Sequence, residues 1–270
     1  MEYILLVLLG TVTGLIAGLL GIGGGLVIVP GLILIFKNYS IAQGALMHVV
    51  AGTSLAVMIF TSISNTYSCN KQKRIKWHLF LSMMPWIVLA DICGALTASA
   101  LHSHLLEVIF GVVVLIMALK MIYDFVTRRK KLEKLKNKKE KGIPKYATSI
   151  AGITIGFKSG MLGIGGGAIA TPFFTSYGVP IKIATGTTSS LTLPISIVGT
   201  ASFIIIGILS GCDIRYTFGF IYWPAVLIIA PFTMIFTMIG TKIANNMPTL
   251  WLRFLFIAFL IFTGLKVLID

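Results

Sequence analysis

Charged residues are scarce in this chain of 270 residues, of which 11% are Asp, Glu, Lys or Arg and 57% are apolar. A soluble globular domain carries about 25% charged residues, so the composition excludes an ordinary soluble domain. The mean hydropathy is +0.97, and the chain repeatedly supplies the roughly 20 mostly apolar residues that a spanning helix needs. The sequence therefore predicts an all-α polytopic membrane protein.

Cysteine is also rare, and the few polar groups do not assemble into a recognisable catalytic set. Cys69, Cys93 and Cys212 lie far apart and form neither a Cys-x-x-Cys pair nor a cluster with histidine, which predicts no disulfide framework and no metal site. The histidines are scattered, and no lysine stands where an ATP-binding Walker motif would need one. We expect neither an enzyme nor a resident cofactor.

Acidic residues are the rarer sign of charge, with 8 Asp and Glu against 22 Lys and Arg, for a formal net charge of +14. Much of the excess lies between Arg128 and Lys145, where ten basic residues accompany two acidic ones. A basic run directly after an apolar span is typical of the cytoplasmic face. Because no soluble segment has a basic face interleaved with aromatics, we expect membrane lipid as a partner and no nucleic acid.

Eight largely apolar regions are predicted from the charge-free runs. Basic residues between Lys71 and Lys76, like the linker after the fourth region, predict a cytoplasmic turn, which places the turn at 102–104 on the outer face. Glu107, near the start of the fourth region, is expected to snorkel to the interface. The regions are Tyr3–Phe36, Gly44–Tyr67, Trp77–Leu101, Leu105–Phe125, Tyr146–Tyr177, Ile183–Leu209, Thr217–Thr241 and Thr249–Leu268.

An internal repeat organises the chain. The glycine block from Gly14 to Gly25, with Pro30 following, recurs from Gly156 to Gly167 with Pro172 following, and every glycine of the first block keeps one constant offset. The repeat predicts two homologous halves of about four hydrophobic regions each. We interpret residues 1–127 as the N-terminal membrane repeat, 128–145 as a basic cytoplasmic linker and 146–270 as the C-terminal membrane repeat.

Each glycine block is predicted to break the first region of its half. Three consecutive glycines destabilise a helix by about 1 kcal/mol each, and the following proline removes a backbone donor. Unwound backbone at membrane depth must be buried or line a cavity, and N–H groups at the start of the next half-helix favour an anion. The predicted substrate-binding backbone is Gly23, Gly24, Gly25, Gly165, Gly166 and Gly167. Four further glycines fit helix packing better, namely Gly14, Gly18, Gly156 and Gly160.

A few polar side chains at membrane depth are candidate substrate ligands. Lys158 lies inside the second glycine block, and intramembrane charge is a functional candidate by default, although a lysine at a span end also snorkels to the interface. Hydroxyls that follow the blocks are candidate donors to substrate oxygens, although such groups often bond back to their own helix. These hydroxyls belong to Thr53, Ser54, Thr187 and Thr188.

Two groups are candidates for proton coupling. Asp91 lies well inside an apolar span, where burial opposes the charged form, and it is alternatively a structural partner for a lysine such as Lys158. His48 is the second candidate because histidine titrates near neutral pH, although a lone histidine at a span end is often only interfacial.

The paired Gly-Leu-Leu-Gly-Ile-Gly-Gly-Gly and Gly-Met-Leu-Gly-Ile-Gly-Gly-Gly blocks, each followed by a proline and then by Ala-Gly-Thr-Ser or Thr-Gly-Thr-Thr, resemble the TauE/SafE sulfite exporter family. The resemblance covers essentially the whole chain, but the turn from Asn70 to Trp77 lacks the glycine expected there. It implies a secondary transporter, a probable exporter, of small and mostly sulfur-containing anions such as sulfite or organosulfonates. It also implies a multi-pass protein of the cytoplasmic membrane.

Several alternatives stay open from the sequence. An uptake permease or a channel would share the same architecture, and a non-transport membrane protein is a more distant alternative. A glycine-broken region that crosses the membrane once gives parallel repeats, whereas one that folds back permits inverted repeats. A homo-oligomer is also compatible with the sequence.

Overall fold

In the computed structural model, the described residues are 2–21, 23–39, 41, 44–136, 143–211, 214–243, 257–258, 261 and 264–265. Among them, six helical segments are long and apolar enough to cross a membrane, which confirms the all-α polytopic prediction. The helices are α1 Glu2–Leu20, α2 Gly25–Asn38, α3 Leu46–Lys71, α4 Trp77–Ala100, α5 Ser103–Lys136, α6 Lys145–Leu162, α7 Gly167–Ser176, α8 Ile181–Leu209 and α9 Trp223–Ile243.

The helix boundaries refine the predicted regions. The first and fifth regions are each divided into two helices, α1 with α2 and α6 with α7. Helix α5 continues to Lys136 and so includes the first part of the predicted linker. The short antiparallel strands β1 Thr217–Phe218 and β2 Ile221–Tyr222 were not predicted. Most of the eighth region lies outside the described residues.

Glycines hold two helix pairs in close contact. Along α1, a Cβ at Gly14 would lie 2.8 Å from the Thr233 carbonyl oxygen of α9, and a Cβ at Gly18 would collide with the Thr237 carbonyl. Along α6, Cβ atoms at Gly156 and Gly160 would collide with carbonyl oxygens of α4. The packing role predicted for these four glycines is confirmed. In each pair, the residue numbers of successive contacts rise together in both helices, so the two helices are parallel.

The glycine breaks turn the chain back on itself. A Cβ at Gly24 would lie 3.1 Å from Thr13 of α1, and Gly31 of α2 faces the side chain of Leu9. Helix α2 therefore runs antiparallel beside α1. In the second block, a Cβ at Gly166 would lie 2.8 Å from Ile155 of α6, so the chain folds back there as well.

Helices α3 and α8 form the centre of the molecule and run antiparallel. Gly52 packs near Phe203, Leu55 near Gly199, and Asn65 donates a hydrogen bond to Ser189. Most of α3 is buried, whereas large apolar side chains of α1, α4, α5 and α9 are exposed. This distribution places apolar side chains toward lipid on the outer helices and the polar side chains of α3 and α8 inside.

The molecule has two distinct ends. At the basic end, α3 finishes at Lys71, α4 begins after Lys76, and α6 begins at Lys145. A Cβ at Gly186 would lie 2.5 Å from the Arg74 carbonyl oxygen, so α8 also begins there. The opposite end holds the end of α2, the start of α3, the α4–α5 turn and the β1–β2 hairpin.

Glu107 does not snorkel, and that expectation was wrong. The residue is 8% exposed, and its Oε2 lies 3.1 Å from Nζ of Lys37 at the end of α2. The ion pair connects α2 to the start of α5 at the opposite end. A buried carboxylate with a partner avoids the cost of an unpaired charge.

Candidate substrate site

The two glycine breaks meet in the interior of the molecule. We call residues 21–24 the first glycine loop and residues 163–166 the second glycine loop. A Cβ at Gly25 would collide with the Ile164 carbonyl oxygen and would lie 2.7 Å from that of Gly163. The described residues of both loops are buried. The sequence prediction of two buried backbone breaks is confirmed, and the structure adds that they touch each other.

One threonine of α8 contacts both loops. A Cβ at Gly23 would lie 2.9 Å from Oγ1 of Thr192, and a Cβ at Gly165 would lie 3.3 Å from its Cγ2. Met58 of α3 also approaches Gly165, with its Sδ 3.1 Å from the same Cβ position. Thr192 is fully buried and donates only to its own helix, at the Thr188 carbonyl oxygen. Sequence reasoning missed Thr192.

Two helix N-termini begin at these loops. Helix α2 starts at Gly25 after Gly24, and α7 starts at Gly167 after Gly166, and neither has a side-chain cap. Gly25 and Gly167 are thus the first helical residues and not part of the break. The first N–H groups of a helix have no intrahelical acceptor, and its N-terminus carries partial positive charge.

The loop backbone needs glycine. Gly24 has φ 84° and Gly165 has φ 78°, a region that residues with a Cβ rarely adopt. Gly166 follows with φ −76°. A change in the sign of φ between neighbouring residues is the geometry that turns successive N–H groups to one side, as in anion-binding nests.

Serine hydroxyls connect each glycine loop to a central helix: the second loop to α3 and the first loop to α8. Ser54 of α3 donates to the Gly163 carbonyl oxygen at 2.9 Å. Ser189 of α8 shares its hydroxyl hydrogen between the carbonyl oxygens of Thr185, at 2.8 Å, and Gly21, at 3.2 Å, and it accepts from Asn65 Nδ2 at 3.0 Å. Asn65 was not a sequence candidate. These bonds satisfy loop carbonyls that would otherwise be buried without partners.

The predicted threonines have different surroundings. Thr53 Oγ1 accepts from the backbone N–H of Tyr222 at 3.0 Å, before α9. Thr187 Oγ1 accepts in the same way from Lys76, before α4. Thr53 therefore connects α3 to the start of α9, and Thr187 connects α8 to the start of α4. Thr188 is fully buried, and no described residue is a hydrogen-bond partner of its Oγ1.

Asp91 is fully buried, and neither of its carboxylate oxygens has a hydrogen-bond partner among the described residues. It lies where α4 meets α6 and α8, since its Oδ1 would lie 2.8 Å from a Cβ at Gly160 and its Oδ2 would lie 3.1 Å from one at Gly199. An ionised carboxylate in such surroundings is costly without a partner. The site therefore needs either a proton or a mobile counter-charge.

The other two ionisable candidates lie elsewhere. Lys158 is exposed on the surface of α6, so the structure does not bring it to the glycine loops or to Asp91. His48 is 8% exposed near the start of α3, where its Nε2 lies 3.0 Å from the Ala98 carbonyl oxygen. Its ring stacks on Phe220 with centroids 5.1 Å apart. We call the place where the first and second glycine loops meet the loop crossing. His48 thus belongs to the opposite end and not to the loop crossing.

Comparison with known proteins gives a consistent result. Residues 6–267 match the family model described as sulfite exporter TauE/SafE. A probable membrane transporter protein of Haemophilus influenzae is 31% identical over 267 residues, covering 99% of this chain and 98% of the relative. The probable membrane transporter protein YunE of Bacillus subtilis is 29% identical, covering 77% and 80%. One from Methanocaldococcus jannaschii is 27% identical, covering 98% and 95%. No solved structure gives a significant match.

Proposed function

We propose that this chain, which belongs to the sulfite exporter TauE/SafE family, is a secondary carrier that moves a small, sulfur-containing oxyanion such as sulfite or an organosulfonate out of the cell. The observation that carries the proposal is the buried meeting of the two glycine loops. Two uncapped helix N-termini begin there. Broken helices whose N-termini face the centre of a membrane protein are a recurrent way of binding anionic substrate groups.

The chemistry of the loop crossing favours an oxyanion over an apolar solute. Backbone N–H groups are hydrogen-bond donors, and the N-terminal ends of α2 and α7 add partial positive charge. The Thr192 hydroxyl donates to the Thr188 carbonyl oxygen at 3.3 Å, and a substrate oxygen would compete for that hydrogen. A lysine or arginine next to the substrate is not required by this proposal, because oriented peptide dipoles are screened less in buried surroundings than in water. The loop backbone is the proposed site, and Gly23, Gly24, Gly165, Gly166 and the starts of α2 and α7 are its members.

Reciprocal contacts support an alternating-access mechanism. Gly52 packs on the Phe220 carbonyl, and Gly186 packs on that of Arg74. Helices α1 and α6 each contain the start of one copy of the glycine block. Helix α1 is parallel to α9, which begins at the opposite end, and α6 is parallel to α4, which begins at the basic end. Helices α1 and α6 therefore run in opposite directions. Such inverted pairs let a carrier exchange the conformations of its two halves around one fixed site.

Proton coupling is assigned to Asp91, with His48 as the second candidate. The carboxyl group of Asp91 lies in the same helix junction as Gly160, three residues before the second glycine loop. Movement of that loop would change the surroundings of the carboxyl group and therefore the free-energy cost of ionising it. A proton taken up at one face and released at the other would then accompany the anion.

The direct test is flux in proteoliposomes that contain the purified protein. Sulfite, sulfate, a short organosulfonate and chloride are compared with and without a pH gradient. We expect saturable sulfite or sulfonate flux that the gradient accelerates and that exchanges against the same anion inside. Flux that does not saturate and does not exchange would assign a channel. Absence of flux for all four anions, in protein of normal fold, would contradict the proposed substrate class.

A threonine substitution tests the site itself. Thr192→Val keeps the shape of the side chain but removes the hydroxyl beside Gly23, and we expect at least about tenfold slower sulfonate flux, as expected for the loss of a bond worth about 1.4 kcal/mol. Thr154→Val is the matched control because Thr154 also bonds the carbonyl four residues before it but is exposed. Equal flux in both variants would remove Thr192 from the site.

A further inference from the structure

The two glycine loops have different side chains beside them, although they are copies of one repeat. Gly23 and Gly165 occupy the same place in the two glycine blocks. The atom nearest to a Cβ at Gly23 would be Oγ1 of Thr192, at 2.9 Å. The atom nearest to a Cβ at Gly165 would instead be Sδ of Met58, at 3.1 Å. A hydroxyl thus lies beside the first loop and a thioether beside the second.

Met58 and Thr192 are corresponding residues of the repeat. The hydrogen bonds of Thr53 and Thr187 make these two threonines equivalent. Met58 lies five positions after the first of them, and Thr192 lies five positions after the second. Both Met58 and Thr192 are fully buried. The repeat therefore places equivalent contacts on both loops, but the contact from α8 has a hydroxyl and the contact from α3 has a side chain without a hydrogen-bond donor.

A second pair of corresponding residues differs in the same sense. Thr13 of α1 and Ile155 of α6 each directly precede the first glycine of their block. A Cβ at Gly24 would lie 3.1 Å from Cγ2 of Thr13, and one at Gly166 would lie 2.8 Å from Cγ2 of Ile155. Thr13 is fully buried, and its Oγ1 has no hydrogen-bond partner among the described residues. The first loop therefore has a second hydroxyl beside it, where the second loop has only a methyl group.

Carbon and sulfur atoms surround the middle of the second loop. The three atoms nearest to a Cβ at Gly165 are Sδ and Cε of Met58 and the methyl carbon of Thr192. The hydroxyl of Ser54 also reaches this loop, but it donates to the loop carbonyl at Gly163. A polar group of a ligand that entered beside Met58 would lose its hydration without gaining a donor from that side chain, which costs free energy. An apolar group would not incur this cost.

We propose that Met58 is a specificity-determining residue of the substrate site and selects an oxyanion whose substituent is uncharged and apolar. The inference rests on the proposed function of the loop crossing. Backbone N–H groups and the hydroxyls of Thr13 and Thr192 would bind the oxygens, and Met58 would contact the substituent. A thioether makes favourable dispersion contacts with alkyl groups but donates no hydrogen bond to an oxygen. An alkanesulfonate fits this division of the site, whereas a sulfonate with a hydroxyl, ammonium or carboxylate group at its far end does not.

Two sulfonates of equal charge and nearly equal size test the selection. The probes are n-propanesulfonate and isethionate, which share the sulfonate group and differ in a terminal methyl or hydroxyl group. Equilibrium binding of each probe to the purified full chain gives the ratio of the two affinities. We expect n-propanesulfonate to bind about tenfold more tightly, because an apolar pocket rejects an added hydroxyl group only moderately. Equal affinities, or tighter binding of isethionate, would overturn the proposal.

Variants of Met58 assign the preference to this side chain. Met58→Gln keeps the length of the side chain and adds an amide, so the ratio of the two affinities should fall about tenfold, to near one. Met58→Leu is the matched control because leucine is apolar and of similar volume, and it should keep the ratio. A purely structural role would change both affinities together and leave the ratio as it is. A ratio that Met58→Gln retains, or that Met58→Leu also loses, would overturn the proposal.

Thr13→Val tests the side of the site that binds the oxygens, and it does not depend on whether the Met58 variants fold. Valine keeps the shape of threonine but removes the hydroxyl, so both sulfonates should bind roughly fivefold more weakly with their ratio unchanged. Unchanged affinities, or a changed ratio, would overturn the division of the site between the two loops. If neither sulfonate binds to the unmodified protein, the inference fails together with the proposed substrate class. Binding with the expected ratio but without flux would contradict only the proposed carrier.

Discussion

At the scale of single residues, the surroundings of Asp91 are the least compensated in the described structure. Within the described part of the chain, both oxygens are buried without hydrogen-bond partners, and they lie beside Gly160 and Gly199. In the reciprocal contact between α1 and α9, the residue that packs on Gly18 is Thr237. Helix α4 therefore carries a carboxyl group at a contact where α9 carries a hydroxyl, so the two contacts differ at a titratable group.

Asp91→Asn should separate coupling from transport. The amide has the same shape as the carboxyl but cannot exchange a proton in this pH range, so we expect flux to lose its acceleration by the pH gradient. Anion exchange at equal pH on both sides should continue. Thr237→Val is the control at the corresponding contact, and it should keep the gradient dependence. If Asp91→Asn retains that acceleration in full, the coupling group is not Asp91, and His48 becomes the candidate to test.

The hydroxyl side chains illustrate what the sequence could predict at this scale. The sequence repeat predicted Ser54 and Thr187 as candidate ligands because they follow the glycine blocks. Both side chains are buried, and both contact other parts of the chain. The repeat could not say that Thr187 accepts from the Lys76 N–H, because that bond joins residues far apart in sequence. Thr192 lies one helical turn after Thr188 and so on the same face of α8. That spacing was the available signal for a residue that the sequence argument missed.

At the scale of helices, small residues determine which pairs approach closely. Gly10, Gly14 and Gly18 lie on one face of α1, and Gly152, Gly156 and Gly160 lie on one face of α6. Because lipid tails are as apolar as the helix surfaces, association in a membrane depends on close packing more than on apolar burial. The two stripes therefore contribute directly to the stability of the α1–α9 and α4–α6 pairs.

Leucine in either stripe should destabilise the protein. Gly18→Leu and Gly160→Leu place side chains where carbonyl oxygens of the partner helix lie, and overpacking of this kind costs about 1–3 kcal/mol. The midpoint of thermal unfolding in detergent measures the effect, and we expect it to fall for both variants. Thr154→Leu is the matched control on the exposed face of α6. An unchanged midpoint for Gly160→Leu would contradict the close contact with Asp91.

The sequence predicted where the helices break but not what the chain does after the break. Glycine and proline interrupt a helix through local backbone effects, which are readable from the sequence. The reversal of direction depends on contacts such as that of Gly31 with Leu9 and that of Gly24 with Thr13. Those contacts are tertiary, and for that reason both a single crossing and a fold-back stayed open.

At the scale of the whole molecule, the contacts between distant segments recur in pairs. The Thr53 hydroxyl accepts from the N–H before Trp223, and the Thr187 hydroxyl accepts from the N–H before Trp77. Those tryptophans are the first residues of α9 and α4. The equivalence makes Pro85 of α4 and Pro231 of α9 corresponding residues, since each lies eight positions after its tryptophan. Each of these hydrogen bonds links a residue within 1–127 to a residue within 146–270. The pairing supports the proposed division into two halves with those bounds.

Composition was sufficient to predict a membrane protein, because apolar content reflects the lipid surroundings of the whole chain. The basic residues after α3 and in the linker predicted one common end, and the starts of α4 and α6 lie at that end. The relative direction of the halves was not predictable, because it depends on whether each glycine-broken region crosses once or folds back. That choice has a direct experimental consequence.

Cysteines at Lys37 and Lys182 should be labelled from opposite faces of the membrane. Lys37 ends α2 beside Glu107 at the opposite end, whereas Lys182 lies in the first turn of α8 at the basic end. Each residue follows one glycine-broken region, so parallel halves would place both on the same face.

Single cysteines in a background without Cys69, Cys93 and Cys212 are treated with an impermeant maleimide in oriented vesicles. A cysteine at Gln72 in the basic turn is the control for sidedness. Labelling of Lys182→Cys together with the control, and of Lys37→Cys only from the other face, is the expected result. Labelling of both from one face would refute the inverted arrangement and, with it, the exchange of conformations on which the proposed carrier mechanism depends.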